Sequence, residues 1–224
     1  ADSNGEAKAL NHLANLEGVA GNHSASIGYL NEALEIFRRS GNIGGQSTVL
    51  NTLGCAFWCV GEFEKSRSHY RHAYDLQCLS GNRQAQGQAL GNLMLVSGEK
   101  NDFPQMEALF TQAWDLSTET GDRGNLANLS LFRGRIEITR GAFAEAAALF
   151  RRSLDLRGEE TNPGRRCEVL AELAHASFRL GEESSARNEL EEVLSVIESD
   201  PEITGADEPL QAYRKAYETL IGLK

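Results

Sequence analysis

Hydrophobic residues recur along this chain at intervals of three and four positions, a spacing that places one apolar stripe along an α-helix. Leu50, Leu53 and Phe57 begin one such stripe, which stops at Gly61. A second stripe starts at Phe63, directly after the glycine. The pattern therefore predicts pairs of amphipathic helices joined by tight turns, in which each helix buries its stripe against the other.

The same pattern returns every 40 residues without an insertion. One column reads Gly21, Gly61, Asn101, Gly141 and Gly181, and another reads Leu30, Tyr70, Phe110, Phe150 and Leu190. A fixed period of this kind is typical of repeat proteins. We expect one domain over residues 1–224, with repeats at about 2–41, 42–81, 82–121, 122–161 and 162–201 and a capping helix at about 207–222.

Polar residues mark where each repeat begins. Asn42, Asn82, Asp122 and Asn162 stand at equivalent positions, and all four are favourable N-cap residues. Each of the first three follows a glycine, which suits the left-handed residue that often ends a helix. The sequence therefore predicts a helix end and a new helix start at each of these sites.

These motifs resemble the tetratricopeptide repeat, whose first helix carries leucine, glycine and an aromatic residue and whose second carries small and aromatic residues. The matching positions are Leu50, Leu53, Gly54, Phe57, Ser66, Tyr70 and Ala73. The 40-residue period, against about 34 in most members, is similar to that of animal spindle-orientation and G-protein-regulator adaptors and of bacterial signal-transduction regulators. The resemblance implies an all-α, right-handed solenoid of about five helical hairpins.

Two columns depart from the family pattern. Arg133 replaces the core leucine of the fourth repeat. Glu17, Ser97, Glu137 and Ser177 occupy the position at which the second repeat has an aromatic residue, Phe57. These repeats must therefore fill the same space with different chemistry.

Composition narrows the functional classes. The net charge of −10 argues against direct nucleic-acid binding, which depends on neutralising phosphates. No apolar run is long enough to span a bilayer, and no signal peptide is evident, so we expect a cytoplasmic protein without membrane contact. The chain starts with Ala1 already near a helical pattern, and we expect a fragment of a larger protein that self-associates through its uncapped N-terminal end.

Candidate catalytic and metal-binding residues are few. Cys55 and Cys59 lie one helical turn apart and could supply half of a metal site, and His69 and His72 form an HxxH pair. No nucleotide-binding, metalloprotease or hydrolase motif accompanies them. We therefore interpret these residues as packing or surface positions and predict a chain without enzymatic activity, metal or cofactor.

The family resemblance implies that the first helix of each repeat lines a concave groove. Asparagine recurs at the groove positions, and its amide both donates and accepts hydrogen bonds, so it suits the backbone of an extended peptide. Aromatic and cationic residues add an anchor and a place for an acidic group. The predicted binding residues are Asn11, Asn15, Asn51, Trp58, Asn92, Asn128, Arg135, His175 and Arg179.

Three functional hypotheses follow. The leading hypothesis is a non-catalytic scaffold that binds a protein or peptide in its groove. The alternative is a sensor domain of a bacterial transcription regulator, in which a peptide or small ligand controls an attached module. An enzyme that uses Cys55, Cys59 or His69 is the third.

Overall fold

A computed structural model describes residues 3–99, 102–158 and 163–199. Within these ranges the chain is helical, and no strand occurs. The helices are α1 (Ser3–Val19), α2 (His23–Arg39), α3 (Ile43–Cys59), α4 (Phe63–Ser80), α5 (Arg83–Glu99), α6 (Phe103–Thr120), α7 (Arg123–Thr139), α8 (Phe143–Arg157), α9 (Pro163–Arg179) and α10 (Glu183–Ser199). The all-α prediction is therefore confirmed.

The predicted helix starts are formed by side-chain caps. The side chains of Asn42, Asn82 and Asp122 each accept a hydrogen bond from the backbone N–H three residues further on, at 2.9, 3.2 and 2.9 Å. Each cap satisfies one of the N–H groups that a helix leaves without a partner. Asn162 lies outside the described residues.

Glycine forms the turns at both ends of the hairpins. Gly61 has φ +77° between α3 and α4, and Gly81 has φ +69° as the C-cap of α4. Residues with a Cβ rarely adopt these angles, which explains why glycine recurs in phase at these turns.

Two compact units make up the structure, and the boundary between them falls at Asn125 and Leu126 within α7. In the N-terminal unit (residues 1–125), α1 pairs with α2, α3 with α4 and α5 with α6. Helices α2 and α3, and α4 and α5, also pack together, so the pairs stack in chain order. This packing is that of a helical-repeat solenoid.

Close approach within a hairpin depends on a glycine. A Cβ built on Gly54 in α3 would lie 2.5 Å from the ring of Tyr70 in α4. Tyr70 is 3% exposed, and Leu50 and Leu53 on α3 are fully buried. The family-like glycine therefore makes room for the aromatic residue of the returning helix.

The C-terminal unit (residues 126–224) repeats this arrangement. A Cβ on Gly134 in α7 would lie 2.5 Å from the ring of Phe150 in α8. Phe150 packs with Leu131 and with Val169 of α9 in one core cluster, and α9 pairs with α10. The predicted repeat boundaries and the single-domain organisation stay predictions, and the predicted capping helix at 207–222 lies outside the described residues.

The charged residue at a core position of the fourth repeat is accommodated by an ion pair. Arg133 Nε donates to Glu137 Oε1 at 2.7 Å, one turn along α7. The Glu137 side chain is 8% exposed and also accepts from Arg140. Arg133, at the position equivalent to Leu53, and Glu137, at the position equivalent to Phe57, thus compensate each other within one helix.

Candidate functional site

Asparagines of α3 and α5 come together in the N-terminal unit. Asn92 Nδ2 donates to Asn51 Oδ1 across the two helices at 3.4 Å, and both side chains are half-buried. A bond of this length is weak. Within the part of the chain that the structure describes, it is the one hydrogen bond of either side chain, so Asn51 Nδ2 and Asn92 Oδ1 keep unused capacity.

Asn11 occupies the equivalent position on α1. Its Oδ1 is shielded from solvent and has no hydrogen-bond partner among the described residues, although the whole side chain is half-buried. Asn15, one turn further along, is exposed. An enclosed acceptor without a donor is unfavourable by about 1–3 kcal/mol, so Asn11 is a site at which a ligand N–H would be stabilised.

A cavity of about 530 Å³ lies beside Asn11 between α1 and α3. Lys8, His12 and Thr48 also line it. Phe37 of α2 contributes an apolar wall. Of the predicted binding residues in the first two repeats, Asn11 lines this cavity, whereas Asn15, Asn51 and Trp58 do not.

Trp58 lies in the last turn of α3 and is half-buried. Its indole Nε1 is enclosed and finds no acceptor within the described ranges. A buried indole N–H normally has a partner. Trp58 thus combines a partly exposed apolar ring with a donor whose hydrogen bond is not used.

Ion pairs dominate the corresponding face of the C-terminal unit. Arg135 on α7 donates from Nε to Glu172 at 2.7 Å and from Nη2 to Glu168 at 2.9 Å, both on α9. Burial opposes the guanidinium charge, but Glu172 and Glu168 outweigh it and raise the pKa of Arg135. Arg135 is therefore already neutralised by its own chain.

The same ion pair lowers the pKa of the Glu168 carboxyl group. Burial favours its neutral form, whereas Arg135 and Arg165 favour the charged form and hold its pKa below the ordinary value. Arg165 contributes a second ion pair to Glu168 at 2.9 Å. The sequence predicted Arg135 as a binding residue but did not predict its pairing with these glutamates.

The remaining predicted residues of this unit also have partners. Asn128 Oδ1 accepts from Arg157 Nη2 at 2.6 Å. The guanidinium of Arg179 lies 4.2 Å from the ring centre of Phe143, and the His175 ring centre lies 6.4 Å from it. Phe143 was missed from the sequence, although Phe63 and Phe103 at equivalent positions mark the same aromatic column.

The cysteine and histidine pairs have different environments. Cys55 and Cys59 are exposed on α3 and form no disulfide bond with each other. His69 stacks on Phe57 with ring centres 5.2 Å apart, and burial, His72 and Arg38 all lower the pKa of His69. Among the described residues, no three His, Cys, Asp or Glu side chains lie close enough together to hold a metal ion.

Comparison with known proteins agrees with this architecture. Residues 5–78 match the family model described as tetratricopeptide repeat, and no curated protein sequence matches the chain. None of the described helices is both long and apolar enough to cross a membrane. The described part of the chain thus has a helical-repeat fold, and residues 5–78 are similar to the tetratricopeptide repeat.

Solved structures extend the likeness beyond the first two repeats. A Rap protein in complex with competence and sporulation factor superposes with a TM-score of 0.83 at 12% identity, covering 97% of this chain and 60% of that one. BtubC (BKLC) from P. vanneervenii gives 0.68 at 14% identity, covering 88% and 82%.

Aspartyl phosphate phosphatase F from Bacillus subtilis is a third similar structure. It gives a TM-score of 0.63 at 15% identity, covering 98% of this chain and 61% of that one. The chain therefore spans about three fifths of the length of the Rap protein and of aspartyl phosphate phosphatase F. At these identities the likeness establishes the fold alone.

Proposed function

We propose that this chain is a non-catalytic interaction module that binds an extended peptide along α1, α3 and α5. The observation that carries the proposal is the unused hydrogen-bonding capacity of Asn11, Asn51 and Asn92 on three successive first helices. Stacked repeats form extended binding surfaces, and first helices are the usual lining of such a surface in this family. The module is expected to act within a larger regulatory protein.

The chemistry of these three residues favours recognition of a peptide backbone. Asn11 Oδ1 and Asn92 Oδ1 can accept from peptide N–H groups, and Asn51 Nδ2 can donate to a peptide carbonyl. Because a backbone offers both groups at every residue, the contacts do not depend on the peptide's side chains. Trp58 adds an apolar anchor and one further N–H donor for a carbonyl.

Of the two arginines predicted to bind an acidic group, only Arg179 keeps that role in this proposal. Arg135 is engaged by Glu168 and Glu172, so an acidic ligand would have to displace two carboxylates of the chain. Arg179 and His175 are exposed, and both lie against the Phe143 ring. An acidic residue of the partner is therefore expected to meet Arg179 and His175 rather than Arg135.

Selection of peptides from a random library on the 224-residue chain provides the probe. The double variant Asn51→Ala, Asn92→Ala is expected to weaken binding of the selected peptides about tenfold or more, since each lost hydrogen bond contributes about 0.5–1.5 kcal/mol. Asn31→Ala, an exposed asparagine on α2, is the matched control and should leave affinity unchanged.

Backbone recognition has its own signature. N-methylation of individual amides in a selected peptide should weaken binding at the positions that face the asparagines, whereas alanine replacement of the same side chains should not. Retention of full affinity by the double variant would contradict the groove assignment. If alanine replacement of the peptide's side chains lowers the affinity and N-methylation of its amides does not, backbone recognition is contradicted.

The similar Rap structure, whose title names a complex with competence and sporulation factor, supports a second candidate. In this alternative the groove binds a signalling peptide and changes the arrangement of an attached regulatory module. A sensor must bind its ligand with different affinity in two conformations. Small-angle scattering of the chain with and without a selected peptide separates the two candidates, because a scaffold keeps its radius of gyration and a sensor changes it.

Several predictions of partner and location stay predictions. The negative charge disfavours nucleic acid as a direct partner. Cytoplasmic location is an expectation from the sequence. The predicted self-association concerns α1, on which Leu16 and Val19 are 67% and 88% exposed, and light scattering of the purified chain measures it.

A further inference from the structure

A cleft of about 390 Å³ lies between α4, α5 and α6 of the N-terminal unit. It is distinct from the residues assigned to peptide binding. Polar side chains line most of it, namely Glu64, Arg67, Ser68, Arg71, Ser97 and Gln105. Leu93 and Leu109 supply the apolar part of its wall.

The cleft exists because one aromatic residue of the repeat pattern is missing. In the preceding repeat, Phe57 stacks on His69 and occupies the equivalent space. Forty residues later these two positions are Ser97 and Leu109. A serine is much smaller than a phenylalanine, so the third repeat has an opening where the second has a ring pair.

Hydrogen-bond donors outnumber acceptors in this opening. Arg71 forms no ion pair in the described part of the chain, whereas Arg67 pairs with Glu64 at 3.2 Å. Ser97 Oγ lies 3.3 Å from Gln105 Oε1, which leaves Gln105 Nε2 to donate into the cleft. Glu64 is the one acidic side chain in the lining, so the local charge is positive although the whole chain carries −10.

We propose that this cleft binds a phosphoryl group, held by Arg71 and Arg67 with Gln105 Nε2 and the Ser68 hydroxyl as further donors. Arginine presents several N–H groups in a planar fork that matches phosphate oxygens. A phosphoryl group offers three acceptor oxygens and up to two negative charges at neutral pH. It therefore uses more of these donors than a carboxylate, which has two oxygens and one charge.

The occupant that this charge pattern favours is a phosphorylated side chain of a protein partner. A chain with net charge −10 is repelled by anionic membranes and by nucleic acid, both of which present many charges at once. A single phosphate on a side chain meets only the local positive charge. Free phosphate shares the chemistry, and the experiment below distinguishes the two sources.

Titration calorimetry of the 224-residue chain with three acetylated, amidated tripeptides tests the proposal. The peptides have the sequences Ala-phosphoserine-Ala, Ala-Glu-Ala and Ala-Ser-Ala, and inorganic phosphate is the fourth probe. The phosphoserine peptide is expected to bind at least tenfold more tightly than the glutamate peptide, and no heat is expected with serine. Inorganic phosphate that binds as tightly as the phosphoserine peptide would contradict a side-chain occupant.

Variants locate the binding in the cleft. Arg71→Ala should weaken phosphoserine binding about tenfold, in line with the loss of one charged hydrogen-bonding group. Glu64→Gln should strengthen it several-fold, because it removes the competing carboxylate and frees Arg67. Ser97→Phe restores the ring of the preceding repeat and should abolish binding by filling the space.

Arg187→Ala on α10 is the control, since Arg187 is exposed and remote from the cleft in sequence. Circular dichroism verifies that Ser97→Phe remains folded. If this variant unfolds, Arg71→Ala still tests the proposal, because Arg71 is exposed and its replacement should not disturb the fold. Unchanged binding in Arg71→Ala and Glu64→Gln would overturn the proposal. Because the groove residues are not altered, binding of library-selected peptides should be the same in all these variants, which keeps this test separate from that of the proposed function.

Discussion

The predicted binding residues on the first helices of the two units have different chemistry. In the N-terminal unit, Asn51 and Asn92 form a long, neutral hydrogen bond. In the C-terminal unit, Arg135 joins Glu168 and Glu172 in ion pairs of 2.9 and 2.7 Å. The amides are available for a ligand, whereas the charges already bind each other.

This difference separates recognition from stability within one repeat pattern. A neutral amide pair with unused donors and acceptors contributes little to folding and can bind a backbone at any salt concentration. Half-buried ion pairs between neighbouring helices tie those helices together and respond to pH. Four predictions, from the largest expected effect to the smallest, compare the stability of the two units.

Adding a methyl group at the close-packed glycine of a hairpin should destabilise both units to the same extent. Gly54→Ala and Gly134→Ala each place a Cβ 2.5 Å from an aromatic ring, and each should lower the free energy of unfolding by about 2 kcal/mol, as overpacked cores do. Chemical denaturation measures the loss. Gly28→Ala on α2, where a Cβ meets nothing within 4 Å, should be neutral or slightly stabilising.

The next experiment compares the two first-helix faces. Arg135→Ala removes the cation that pairs with the partly buried Glu172 and leaves Glu168 paired with Arg165, and it should lower the free energy of unfolding by about 1–2 kcal/mol. Asn92→Ala removes one weak bond and should change it by less than about 0.5 kcal/mol. Equal effects of the two variants in urea denaturation would refute the division between stabilising charges and binding amides.

The Arg135 effect carries a pH dependence with a definite sign. The folded-state pKa of Glu168 lies below its ordinary value of 4.5. Its stabilisation is therefore complete above that ordinary value and disappears as the pH falls through the lowered folded-state value. The difference between wild type and Arg135→Ala should shrink over the same range.

The smallest effect concerns Glu189 on α10. Unlike Glu168, its carboxyl group accepts a hydrogen bond from a serine, Ser177, and not from an arginine. Burial raises its pKa, the hydroxyl of Ser177 and the charge of Arg151 oppose the shift, and Glu182 and Glu192 add to it. Its Oε2 is enclosed without a hydrogen-bond partner in the described part of the unit.

Glu189→Gln should therefore raise the free energy of unfolding at pH 7 by less than about 1 kcal/mol. The gain should vanish below about pH 4, because a raised folded-state pKa means that wild-type Glu189 is neutral there as well. Thermal unfolding at the two pH values measures it. Glu191→Gln, an exposed neighbour on α10, is the control for the loss of one negative charge from this helix.

Much of the fold could be predicted because its determinants are local in sequence. The caps Asn42, Asn82 and Asp122 and the turn glycines act within a few residues of themselves, so their spacing alone indicates helix boundaries. Gly54 was also recognisable, because a glycine in a helical stripe usually serves close packing.

The site was less predictable because its contacts cross from one repeat to the next. Asn51 pairs with Asn92, which is one position out of the 40-residue column, and Arg135 pairs with residues 33 and 37 positions away. Such offsets depend on how successive helices are rotated, which the spacing of residues does not encode. For the same reason the columns identified Ser97 as a departure but did not reveal the cleft beside it.

Helix pairing in chain order also bears on how the N-terminal unit folds. Its helix contacts join neighbours one or two places apart, such as α1 with α2 and α1 with α3. Short sequence separation between contacting residues speeds folding, and in repeat arrays order can spread from any stable hairpin to the next. A newly synthesised N-terminal unit should therefore acquire structure hairpin by hairpin as it leaves the ribosome, well before the second unit has been translated.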